Sequence, residues 1–134
     1  MLTYFGAAVV HTTKCIRVVT PESSMLNEGF ATSRAGDIVE LARLILEALG
    51  NPPRGETFIG TDNLANAQVC NDEKSAGHCK HSLRRYSTIQ ERTRRGSIAI
   101  GHIPDAENPA DFLTKWLPRK KLLDSVGYVT GQRK

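Results

Sequence analysis

The alternating run Ser97-Ile98-Ala99-Ile100, carried on by Gly101-His102-Ile103-Pro104, most constrains the fold. Isoleucines two positions apart share one face of a strand, and a strand with one apolar face must be covered by another layer. Pro104 and the polar residues after it end the strand. Asn108-Pro109 then has the chemistry of a helix start: a side-chain acceptor for orphan N–H groups, followed by a residue whose missing N–H costs nothing at the first helical position. The pattern is strand, loop, helix, with Asp111 in the first helical turn beside Phe112-Leu113. On local grounds an acid there complements the helix dipole or lies at the surface.

A second unit of the same kind lies upstream. Thr57-Phe58-Ile59-Gly60-Thr61 reads as a short buried strand, with Asp62 at its carboxyl end and a helix beginning at once over Asn63–Ala67. Open α/β sheets present ligand groups at that end of a strand, although an aspartate that merely caps the helix satisfies the same pattern. Before it, Thr3-Tyr4-Phe5 and Ala8-Val9-Val10-His11-Thr12-Thr13 read as a hairpin turning at Gly6-Ala7. Cys15–Val19 continues extended, and Thr20-Pro21-Glu22 announces a long helix. That helix runs to about Leu49, where Gly50, Pro52 and Pro53 stop it.

The apolar stripe of this helix is expected through Ala31, Ala35, Ile38, Ala42, Ile45 and Leu49. Glu28 lies one turn earlier on the same stripe and is thereby aimed toward the sheet; a solvated or capping glutamate is the local alternative. Gly29 and Gly36 each cost the helix up to ~1 kcal/mol relative to alanine. After a loop over 71–77, a second long helix spans roughly Lys80–Arg95, with Lys80, Arg84, Arg92 and Arg95 near one face and Leu83, Tyr86 and Ile89 on others. Seven Lys/Arg against one Glu fall between Lys74 and Arg95, a concentration suited to phosphates through counterion release or simply to a solvated face. Trp116 is expected to anchor the closing helix. Pro118 onward reads as a basic tail (118–134) with one more amphipathic turn, Leu122–Val126.

At 134 residues, with 40% hydrophobic and 24% charged residues, the chain has the size and composition of one globular domain. No run approaches the ~20 apolar residues of a membrane span, and the N-terminus lacks the pattern of a secretory signal. Three cysteines, Cys15, Cys70 and Cys79, form no paired framework and favour a reducing, intracellular compartment, in the cytoplasm or nucleus. The net charge of +4 is compatible with a polyanionic partner. Cys70, His78, Cys79 and His81 match no zinc-ligand spacing.

Four motifs in order carry a resemblance. Asn108-Pro109-Ala110-Asp111-Phe112-Leu113-Thr114-Lys115 resembles the "AD-x-LTK" signature that closes the ribonuclease H domain of copia-type LTR retrotransposon polyproteins. Ser23-Ser24-Met25-Leu26-Asn27-Glu28-Gly29-Phe30-Ala31 resembles that family's "SSTEAEYVAL", Thr61-Asp62-Asn63 its "CDN", and His78-Cys79-Lys80-His81 with Arg85-Tyr86 and Ile89 its "RTKHIDIRYHFI". The resemblance runs from about Tyr4 to Leu117.

It implies an α/β, ribonuclease H-like fold over 1–117: a mixed sheet, with an antiparallel hairpin and parallel strands, flanked by helices. It implies metal-dependent endonucleolytic hydrolysis of the RNA strand of RNA–DNA hybrids during reverse transcription. Glu28, Asp62 and Asp111 would be catalytic, metal-binding carboxylates for Mg²⁺, with Mn²⁺ as substitute, and His102 would assist water deprotonation or product release. Asn63, Lys80, Arg84, Arg85, Arg92 and Arg95 would face the nucleic acid. The partners implied are the hybrid and the reverse transcriptase portion of the same polyprotein, without a membrane.

In the family a first strand carrying a fourth acid precedes the hairpin. No acidic residue stands before Glu22, so the expectation is a domain without that strand, with little cleavage by the chain as it stands. Asp105 or Glu107 would be the place to seek a substitute acid. A non-catalytic nucleic-acid-binding remnant of the same fold is the alternative, and an unrelated small α/β scaffold would require the four motifs to coincide.

Overall fold

The computed structural model describes residues 2–4, 7–10, 24–72, 83–113 and 116–132. The expectations for Cys15–Val19, the Thr20-Pro21-Glu22 helix start, the His78–His81 motif and Lys80 lie outside them. The protein is mixed α/β and divides into two compact units: Thr20–Ile103, and Met1–Val19 together with Pro104–Lys134.

In the Thr20–Ile103 unit, α1 (Ser24–Ala48), β3 (Thr57–Thr61), α2 (Leu64–Asn71), α3 (Leu83–Arg94) and β4 (Ile98–His102) follow one another. β3 and β4 are parallel, in register from Thr57 opposite Ile98 to Thr61 opposite His102. A parallel pair needs a long crossover, and α2 and α3 supply it. The two strands bury Ile59, Thr61, Ile98 and Ile100 on one face, against Val39, Ala67, Val69, Cys70, Tyr86 and Ile89 of the helices. Phe58, 60% exposed, stands on the other face. β3 is therefore half-buried rather than buried throughout. Among the described residues it has a ladder partner on one edge only.

The inward face of α1 is not the stripe that hydropathy picks out. Gly29, Thr32, Ser33, Gly36 and Val39 are buried, while Ala31 is exposed and Ile45 and Leu49 are 51% and 74% exposed. Close approach of α3 decides this. A Cβ on Gly29 would stand 2.5 Å from the Tyr86 hydroxyl, and one on Gly36 would stand 2.7 Å from Arg92 Nη1. The two glycines that weaken the helix by propensity are thus the places where α3 enters. The buried hydroxyl of Thr32 is satisfied by Asn66 Nδ2 at 2.8 Å, as a polar group removed from water requires.

Side-chain ties fasten the layers of this unit. Arg43 donates to the Gly55 carbonyl and to Thr57 Oγ1, each at 2.9 Å, and Ser97 Oγ donates to Glu40 at 2.5 Å. Asn71 Nδ2 donates to the Ile100 carbonyl at 3.0 Å. Gln90 Nε2 reaches the Val69 carbonyl at 2.8 Å near the carboxyl end of α2.

In the other unit, β1 (Leu2–Tyr4) and β2 (Ala7–Val10) form an antiparallel hairpin, as expected, with a bulge between Leu2 and Thr3. After Pro104 the chain makes two short 3₁₀ turns, Asp105–Glu107 and Asp111–Leu113. The helix expected to start at Asn108-Pro109 is only the second of these. Asn108 closes the first of these turns, and its Oδ1 accepts from Ala110 N–H at 3.0 Å, just before the second. Arg119–Val129 forms α4, three turns long where a single amphipathic turn was expected. Trp116, expected to anchor the helix begun at Asn108-Pro109, is fully exposed and anchors none.

Candidate functional site

At the carboxyl end of β3 the chain passes from Thr61 through Asp62 to Asn63, the N-cap of α2. Asn63 Oδ1 accepts from Asn66 N–H at 3.0 Å. Its side chain is therefore engaged in starting α2, and Asp62 is relieved of the capping role that local sequence allowed it. His102 ends β4 directly beside Thr61 in the parallel register, so the two strand ends bring Asp62 and His102 to the same edge. His102 is exposed and lines an open groove with Leu64, Ala67, Gln68 and Asn71.

Glu28, half-buried in the second turn of α1, receives a hydrogen bond from Thr61 Oγ1 at 3.4 Å. The helix thus delivers this carboxylate to the strand end where Asp62 stands. Thr61 itself is 5% exposed, and behind it lies a buried polar cluster centred on Asn66, which is wholly buried. Asn66 Nδ2 donates to Thr32 Oγ1 at 2.8 Å and Thr61 Oγ1 at 3.4 Å. Asn66 Oδ1 accepts from the Tyr86 hydroxyl at 3.2 Å and from Cys70 Sγ at 3.8 Å. Burial pushes the Cys70 thiol up to about 12, so this sulfur is a packed, protonated group and not a nucleophile.

Asp111 belongs to the other unit, where it is 3% exposed. Lys121 Nζ, from α4, donates to its Oδ2 at 2.5 Å and to the Asp105 carbonyl at 2.6 Å, and lies 3.7 Å from Asp105 Oδ2. Asn108 Nδ2 stands 3.4 Å from Asp111 Oδ1. Carboxylate oxygens of Asp105 and Asp111 approach within 4.8 Å of each other. Within this unit two acids therefore share one cation, supplied by the chain's own ammonium. Hard carboxylate oxygens are what Mg²⁺ takes, so the donor chemistry at Glu28 and Asp62 fits a divalent ion, while in the other unit Lys121 already neutralises Asp111.

The basic residues of α3, and Arg95 just after it, have separate fates. Arg84 is exposed, and its guanidinium makes no ion pair among the described residues. Arg85 stacks on Phe30, its guanidinium carbon 4.0 Å from the ring centre. Arg92 turns inward to Asp37 at 2.8 Å, its side chain 19% exposed. Arg95 pairs with Glu91 at 2.8 Å, and Arg94 binds the same carboxylate. Of the expected phosphate face, Arg84, Arg85 and Arg95 stand at the surface while Arg92 holds α3 to α1.

Thr61, Asn66 and Lys121 escape a reading of the sequence. Asn66 follows Asn63 at cap spacing, the one local signal for this cluster. Lys121 has none, since it lies ten residues from Asp111. No family model, curated protein or solved structure matches this chain. No helix among the described residues is long and apolar enough to cross a membrane.

Proposed function

We propose that the protein is the ribonuclease H-like portion of a copia-type retrotransposon polyprotein, acting on the RNA strand of RNA–DNA hybrids with Mg²⁺, or Mn²⁺ in its place. One observation carries the reading: α1 brings the Glu28 carboxylate to the end of β3, where Asp62 follows. The mixed α/β architecture, with a parallel β3–β4 pair and helices in the crossover, is compatible with this reading. Glu28, Asp62 and Asp111 would hold the metal. When bound, paired Mg²⁺ ions supply an activated water and stabilise the departing oxygen. The chain's own share is to present carboxylates from a helix and a strand end, to keep His102 exposed beside them for the water's proton, and to hold phosphates on Arg84, Arg85 and Arg95. Strand choice would come from the 2′-hydroxyl and hybrid shape.

A second reading, a non-catalytic binder of hybrid or duplex, is favoured by one feature: Asp111 is already paired with Lys121. Hybrid binding and cleavage measured together separate the two. Mg²⁺-dependent cutting of the RNA strand that disappears in Asp62→Asn supports the nuclease. Binding without cutting, weakened across all sequences and with a flatter salt dependence in Arg84→Ala, supports the binder. A chain that neither binds nor cuts a hybrid refutes both.

A further inference from the structure

The hydroxyl of Thr61 has one proton to give and two lone pairs to fill. Both lone pairs have donors: Asn66 Nδ2 at 3.4 Å and the Asn63 backbone N–H at 3.3 Å. The proton is therefore directed at Glu28 Oε2. The oxygen of the Asn66 amide faces the Tyr86 hydroxyl while its nitrogen faces two threonine hydroxyls. Asn66 and Tyr86 are both fully buried. A chain of hydrogen bonds thus runs from Tyr86 of α3 through Asn66 of α2 and Thr61 of β3 to one carboxylate on α1.

From this geometry we infer that Thr61 is a positioning residue for Glu28: it fixes the carboxylate at the end of β3, and Asn66 sets the direction in which Thr61 donates. Outer hydrogen bonds of this kind orient metal-binding carboxylates, and their loss weakens metal affinity by about 10- to 100-fold. The inference rests on the reading of Glu28 as a metal-site carboxylate, but positioning can be measured without metal.

Thr61→Val keeps the shape and removes the donor, whereas Thr61→Ser restores it. In the full chain, two quantities are compared for wild type and both variants: the affinity for Mn²⁺ alone, and the order of the Glu28 side chain from NMR relaxation of its carboxyl carbon. Circular dichroism checks that each variant is folded. The expected result is an affinity about 10-fold weaker and a less ordered Glu28 in Thr61→Val, with both recovered in Thr61→Ser. A Glu28 equally ordered in Thr61→Val overturns the inference, whatever happens to Mn²⁺. So does a loss of order that Thr61→Ser fails to repair. If wild type binds no Mn²⁺ while Glu28 still loosens in Thr61→Val and tightens in Thr61→Ser, positioning stands and the metal-site reading falls.

Discussion

Replacing Lys121 by methionine keeps most of the side chain's bulk and removes the cation that Asp111 faces. Asp111 is 3% exposed, and Asn108 Nδ2 also stands near it, at 3.4 Å. Breaking a fully buried ion pair by deleting one partner costs about 3–5 kcal/mol, because the other charge is left uncompensated. Lys121 keeps 23% of its side-chain exposure, so water screens part of that loss, and about 2–3 kcal/mol is expected. Urea denaturation followed by circular dichroism measures it. Adding Asp111→Asn to Lys121→Met should recover most of the stability, since a neutral amide needs no counter-charge. The single variant also opens a cation position between Asp105 and Asp111. Mg²⁺ at about ten times the dissociation constant of that position would then add about 1.4 kcal/mol more to Lys121→Met than to the double variant. A Lys121→Met protein as stable as wild type would refute the reasoning. So would a double variant no more stable than the single one, because the loss would not then come from the stranded carboxylate.

Two further outcomes test the packing. Gly29→Ala should destabilise by about 1–3 kcal/mol through crowding of the buried Tyr86, despite the helix-propensity gain of up to ~1 kcal/mol; Gly36→Ala, which meets only the far end of Arg92, should stay within about 1 kcal/mol of wild type, and urea melts in which Gly29→Ala gains stability would disprove the α1–α3 contact. The raised Cys70 thiol, held near 12 by burial against an ordinary value of 9.0, keeps its proton in the folded state after the unfolded chain has lost it. Its contribution is complete below pH 9 and falls as pH rises from 9 toward 12, so the alkaline loss of stability should be shallower in Cys70→Ala, and equal slopes for the two proteins would contradict the burial.

The sequence by itself determined the elements and their order wherever local chemistry suffices. Alternating Ile98 and Ile100, the β-branched run ending at Thr61, and the Asn63 cap need only backbone periodicity and a nearby side-chain acceptor. They placed Asp62 and His102 at strand ends because a strand's end is a local fact. What a strand or helix packs against is not local, and there tertiary structure decided. Hydropathy favoured the face of α1 through Ile45 and Leu49, but the smallest residues, Gly29 and Gly36, let α3 closest and so chose the inward side. Arg92 and Arg84 look alike in sequence, yet only Arg92 meets an aspartate on the neighbouring helix. The Thr61–Asn66–Tyr86 chain and the Lys121–Asp111 pair join residues from separate elements whose hydrogen-bonding capacity is visible in sequence but whose partners are not. The valence of a hydroxyl, an amide or an ammonium is fixed by its residue type. Only folding sets which groups come within 3.5 Å of it, and therefore whether a carboxylate is held for chemistry or neutralised.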